Sequence, residues 1–208
     1  MTSIAVALMV AAVQAGSASE AVQRTQEKVR ASLTAWVKSE GSARARAREQ
    51  ARKAVAELID FDALAQATLG NKWDELKPAD RKRYTAALRG AMEANYLAKM
   101  RKGTASDVER IRTEITGEEP QDGRVVVHTR VHTGEDMAAI DYVMVKGPKG
   151  WRAVDVITEG VSLAETYREQ VSRILAKKSL NDVIAALDRK RKALEADLDK
   201  PLPEAPQK

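Results

Sequence analysis

Few side chains in this sequence could do chemistry. His128 and His132 are the only histidines, and there is no cysteine. Both histidines fall in a β-like stretch. Four residues apart on a strand, they share a face but stand about 13 Å apart, at about 3.3 Å per residue. One metal ion cannot span that gap, so no metal site is expected. The other reading is a solvated face, opposite Val125, Val127, Thr129 and Val131. Without cysteine the sequence has no disulfide, thiolate zinc site, cysteine nucleophile or cysteine-linked lipid anchor. No serine sits in a G-x-S-x-G elbow. No glycine cluster follows a strand as a phosphate loop would. Asp155 and Glu159 could pair for acid–base catalysis. An ion pair or turn contact is the reading preferred for them, because no other reactive group accompanies them.

The elements that hold these residues follow from periodicity. Alternating apolar residues mark four strands at 108–116, 124–132, 138–145 and 151–157. The breaks at 117–123, 133–135 and 146–150 are short, which predicts hairpins and an antiparallel meander. Glu159-Gly160 ends the last strand. Ser162 with Glu165 then forms a capping box for the helix that follows. Helical spacing predicts helices at 19–38 and 43–59. A shorter helix with Asp62 as N-cap ends at Gly70, and a long one runs from Pro78 to about 102. A last helix starts at Ser179 and Asp182. In the long helix Tyr84, Leu88, Met92, Tyr96 and Met100 step by four, a stripe that suits either core or ligand wall. Arg44, Arg48 and Arg52 form a basic line, read as a solvated face, with docking to an acidic partner as the alternative. The fold class is therefore α+β. A twisted antiparallel sheet of about four strands packs against a helical layer.

The 208 residues suffice for one domain with a sizeable core. With one Phe, three Trp and four Tyr, that core must be mainly aliphatic. A net charge of +5, well mixed, is a weak signal for nucleic acid, and no nucleic-acid partner is expected. Residues 4–13 are apolar and are followed by small residues, so 1–18 is read as a signal peptide cleaved after Ala15 or Ala18. Residues 1–3 lack the usual basic charge, and a buried N-terminal helix is the alternative. The apolar run is too short to span a bilayer, so no stable membrane insertion is expected. The folded domain is placed at 19–200 and a disordered, proline-containing tail at 201–208.

A series of short pieces carries a resemblance. Phe61-Asp62, Leu69-Gly70, Trp73, Leu76, Pro78 and Arg81 come first. Tyr142, Trp151, Asp155-Val156, Glu159-Gly160-Val161-Ser162-Leu163 and Tyr167-Arg168 follow. In order and spacing, over about residues 22–192, the chain resembles the MlaC family of periplasmic phospholipid-binding carriers, also called toluene-tolerance proteins. Two departures are Lys77, where the family usually has a small hydroxyl cap, and Ser179, where a glycine is common.

The resemblance implies a soluble periplasmic protein whose sheet and helices enclose a deep apolar pocket for acyl chains. It implies a shuttle for phospholipid between an outer-membrane lipoprotein complex and an inner-membrane ABC transporter complex with its substrate-binding subunit. It implies no catalysis and no cofactor. The residues agree physically, because desolvating acyl chains gains about 0.8 kcal/mol per CH₂ and needs aliphatic walls rather than a polar constellation. Candidate pocket residues are Phe61, Leu64, Leu69, Met92, Tyr96, Met100, Val127, Ile140, Tyr142, Met144, Val154 and Val156. A one-residue slip in strand phase would exchange the faces. Arg168 is the head-group candidate, with an ion pair inside the fold as the competing role. A hopanoid cargo is an alternative, since a subgroup of the family is associated with hopanoid biosynthesis. A small α+β isomerase or dehydratase using Asp155 or Glu159 with Tyr142 is another.

Overall fold

The computed structural model describes residues 16–100, 105–133 and 136–198. The expected signal peptide, except for residues 16–18, and the expected tail lie outside them. Two long helices open the chain, α1 (Ala18–Lys38) and α2 (Gly41–Leu58), packed as a hairpin. The short helices α3 (Phe61–Leu69) and α4 (Lys72–Glu75) lead into α5 (Pro78–Met100) and α6 (Ala105–Arg110). The strands are β1 (Arg112–Gln121), β2 (Arg124–Thr133), β3 (Asp136–Gly147), β4 (Gly150–Thr158) and β5 (Val161–Ser162). Helices α7 (Leu163–Leu175) and α8 (Leu180–Leu198) close the fold, with α8 along α5.

All strand pairs are antiparallel, in the order β1-β2-β3-β4-β5. The expected meander is present, with a fifth, two-residue strand added. Its start and first turn need correction. Val108 lies in a helix, and β1 runs through Gly117 to Gln121 because a bulge after Ile115 absorbs one residue. The turn is Asp122-Gly123, with φ of 46° and 76°. Glu159-Gly160, at 50° and 75°, makes the same kind of two-residue turn between β4 and β5. Two positive φ values match the right-handed strand twist and favour glycine at the second position. A second bulge lies between Val143 and Met144 on one strand and Asp155 and Ala153 on the other.

The helix ends follow local chemistry. Asp60, not Asp62, caps α3: its Oδ1 accepts the Ala63 amide at 3.0 Å. Ser162 caps α7, its Oγ accepting the Glu165 amide at 3.0 Å. The Arg152 guanidinium donates to the Ala56 and Ile59 carbonyls, where α2 leaves unpaired acceptors. Asp60 N also donates to Ala153 O at 2.8 Å, which pins the α2–α3 connection to β4. The basic line on α2 is not a solvated face throughout. Arg52 pairs with Glu195 of α8 at 2.8 Å, and Arg44 lies over the Trp36 ring at 6.0 Å.

The core divides in two. The larger cluster joins the start of α1, α3, the first two-thirds of α5, the inner sheet face, α7 and the start of α8. It includes Val22, Leu64, Leu88, Val127, Met144, Tyr167 and Val183. The smaller cluster joins the other ends of α1, α5 and α8 to α2 and α6: Val29, Leu33, Trp36, Ala47, Ala51, Ala54, Leu97, Val108 and Leu198. Helices α1, α2, α5 and α8 run from one cluster to the other or pack against both.

Candidate functional site

A cleft of about 390 Å³ opens where the two clusters meet. One wall is α1, with Gln23, Gln26, Glu27, Val29, Arg30 and Leu33. The end of α5 contributes Tyr96 and Met100. The sheet contributes Thr113 and Ile115 of β1, Val131 of β2, and Ile140 and Tyr142 of β3; Ile111 lies just before β1. Aliphatic side chains therefore dominate the deep wall, and the polar residues of α1 sit along the rim. The volume falls near the lower end of the roughly 300–1,000 Å³ typical of small-molecule sites.

The inner sheet face follows from register, because directly opposed residues share a face. Val127 opposes Tyr142, Thr129 opposes Ile140, and Val156 opposes Tyr142 from the other side. Met144 opposes Ala153 across the bulge, which leaves Val154 out of step with that face. Of the twelve candidate pocket residues, Tyr96, Met100, Ile140 and Tyr142 line the cleft. Phe61, Leu64, Leu69, Met92, Val127 and Met144 belong to the larger core cluster, and Val156 packs against it. The step-of-four stripe on α5 is thus split. Tyr84, Leu88 and Met92 are core, and Tyr96 and Met100 are cleft wall.

Sequence reasoning did not single out the α1 wall or the Ile111–Ile115 edge. Their signal was present in α1: Gln23, Gln26, Glu27 and Arg30 lie beside Val22, Val29 and Leu33, a polar border on an apolar stripe. The alternation of Ile111, Thr113 and Ile115 marks one face of the first strand, but not whether protein or cavity covers it.

Polar side chains interrupt the apolar lining: Tyr96, Tyr142, Thr113 and Thr133 with their hydroxyls, and Gln26 with its amide. Gln26 Nε2 donates to Tyr142 Oη at 3.3 Å, bridging α1 and β3. Burial raises the pKa of Tyr142, and the Gln26 hydrogen bond only partly offsets it. Burial also raises that of Tyr96, and the neighbouring Tyr142 adds to the effect. Both are therefore neutral hydrogen-bonding groups at any physiological pH.

Arg168 lies away from the cleft. Its Nη2 sits beside Gly70, 3.4 Å from where a Cβ on that glycine would stand, at the C-terminal end of α3. There the guanidinium complements the helix dipole. The guanidinium-bearing residues at the cleft are Arg30 and Arg112, and Arg112 Nη1 donates to the Glu109 and Ile111 carbonyls.

Asp155 and Glu159 hold the β4–α7 corner. Asp155 Oδ1 accepts from its neighbour Val156 N at 2.8 Å and from Ala164 N at 3.0 Å. Its Oδ2 accepts the Ser162 hydroxyl. Glu159 accepts the Ala139 amide. The capping box is half kept: Asp155 is the carboxylate that engages Ser162. On the outer sheet face, His128 Nδ1 lies 3.0 Å from Asp141 Oδ1, and His132 Nε2 lies 3.9 Å from Glu114. Among the described residues no three carboxylates or histidines gather as a metal site would require, and no helix is long and apolar enough to cross a membrane.

No curated protein sequence matches the chain. One solved structure that it resembles is the phospholipid-binding protein of Ralstonia solanacearum, determined in complex with a phospholipid. The TM-score is 0.74 at 19% identity, covering 86% of this chain and 99% of that one. That likeness establishes the shared fold. The family profile described as MlaC protein matches residues 23–189, most of the sequence, and the chain belongs to the MlaC family.

Proposed function

We propose that this protein is a non-enzymatic phospholipid carrier that holds acyl chains in the cleft between its two core clusters. The cleft carries the reading: an aliphatic wall on a firm sheet, faced by a helix, with charge kept to the rim. Family membership and the phospholipid in the Ralstonia structure support it. A two-chain lipid requires the cleft to widen. The existing cleft, bordered by residues of both clusters, is where that widening would start. The head group then stays at the rim beside Arg30, an exposed residue on α1.

The finer reading is a periplasmic shuttle. It receives lipid from, or delivers it to, an outer-membrane lipoprotein complex and an inner-membrane ABC transporter with its substrate-binding subunit. Export would follow cleavage after Ala15. That site leaves Ser17, whose Oγ accepts the Glu20 amide at 3.1 Å, and Ala18, which is 1% exposed, in place at the start of α1. Cleavage after Ala18 would remove both. Against the acid–base enzyme alternative, Asp155 and Glu159 accept structural hydrogen bonds and neither lines the cleft beside Tyr142, which favours the carrier.

The test is to purify the mature chain and identify what accompanies it, by lipid extraction and native mass spectrometry. Phospholipid at up to one molecule per chain is expected. A homogeneous ligand-free protein that takes up no phospholipid from vesicles would overturn the reading.

A further inference from the structure

The cleft is not uniformly apolar, and its polar groups have a direction. Tyr142 Oη accepts a hydrogen bond from Gln26 Nε2, so its own hydrogen remains free to be donated. Tyr96 shares the cleft with a second hydroxyl. Neither ionises at physiological pH, because burial opposes the phenolate in both. Together they place two neutral phenol groups on the lining of the space between α1, the end of α5 and β3.

Covering such donors with hydrocarbon alone leaves hydrogen-bonding capacity unmet in a desolvated site, which is unfavourable. A ligand with an uncharged acceptor at that depth avoids the penalty. We infer that Tyr142 and Tyr96 form a specificity site that hydrogen-bonds the ester carbonyls of an acyl-glycerol lipid, below a head group held at the rim. This rests on the carrier reading and names its cargo class. It separates ester-linked glycerolipids from lipids that are hydrocarbon along their length, such as a polycyclic terpenoid skeleton.

The experiment compares two probes with the same head group and chain length: dipalmitoyl phosphatidylcholine, and its di-O-hexadecyl ether analogue, which lacks the carbonyls. Binding from vesicles is measured for the full mature chain, for Tyr142→Phe and for Tyr96→Phe. The native protein is expected to favour the ester by about five-fold, the equivalent of one neutral hydrogen bond of about 1 kcal/mol. Each Phe variant should reduce that ratio toward one. A general loss of folding would lower both probes together and leave the ratio intact, so the ratio reads the hydroxyls alone. Equal binding of ester and ether by the native protein would overturn the inference while leaving the carrier reading standing. A preference that persists unchanged in both variants would do the same. Failure of both probes to bind would overturn the carrier reading itself.

Discussion

Leu64 and Leu33 are both almost wholly buried, at 0% and 2% exposure, yet they sit in different kinds of interior. Leu64 is enclosed in the larger cluster, which includes Tyr84, Leu88, Met144 and Tyr167. There the Tyr84 hydroxyl and Thr68 Oγ1 are 2.7 Å apart, and Thr68 also donates to the Ala65 carbonyl at 2.9 Å. Leu33 belongs to the smaller cluster, where three alanines of α2 let α1 approach closely. It also forms part of the cleft wall. Each cluster holds one buried polar atom with no partner among the described residues, Tyr167 Oη in the larger and Trp36 Nε1 in the smaller. The same long helices therefore pass from a larger enclosed interior to a smaller one beside a cavity. A carrier needs both: one cluster to hold the fold, and a weaker seam to open for cargo.

Truncation should separate the two regions most clearly. Leu64→Ala is expected to destabilise the chain by about 2–5 kcal/mol, since it leaves a closed void in a packed core. Leu33→Ala should fall at or below the lower end of that range, because the lost volume merges with an existing cleft. Chemical denaturation measures both. Equal costs would break the comparison. Leu33→Ala should also retain or increase lipid uptake once folded, whereas Leu64→Ala should not raise it.

Asp155→Ala comes next. It removes the acceptor shared by Ser162 Oγ and Ala164 N, at an expected cost of about 1.5–3 kcal/mol for hydrogen bonds to a charged group. Lipid uptake by the folded variant should be unchanged, because the corner holds α7 rather than the cleft. Loss of lipid at full stability would instead return Asp155 to a functional role.

Alkaline pH provides a smaller test of the larger cluster. Burial pushes Tyr84 and Tyr167 each up to about 12, against an ordinary value of 10.0. A raised folded pKa means that the folded state holds the proton more tightly. The associated stability is complete below about pH 10 and is lost as pH rises toward 12. Denaturation midpoints should fall over that window, and Tyr84→Phe should flatten the fall. A profile that is level from pH 10 to 12 would contradict the burial of these rings.

Much of the fold was legible because its signals are local. Alternation marked the strands, Ser162 and Gly160 marked the β4–α7 corner, and Pro78 and Gly70 marked helix ends. The errors lie where a local signal competes with another. Asp60 and Asp62 are both plausible caps, and geometry chose the first. The two bulges moved β1 past Gly117 and put Val154 out of phase, and a bulge leaves no periodic trace.

The cleft was harder to foresee. Met92 and Tyr96 are one helical turn apart on α5 and equally suited to either role. Only the end of the larger cluster places one in the core and the other on the cavity. The same holds for α1, whose stripe is core at Val22 and cavity wall at Leu33. Apolar periodicity reports a buried face, but not whether protein or ligand covers it.

The most direct test of a cargo site between the two clusters is to load the protein with a phospholipid carrying a photoreactive group at the end of one acyl chain, irradiate it, and map the modified residues by mass spectrometry. Labelling should concentrate on Leu33, Met100 and Ile115 along the cleft. Efficient loading with labels confined to the larger cluster, at Leu64 or Leu88, would contradict it.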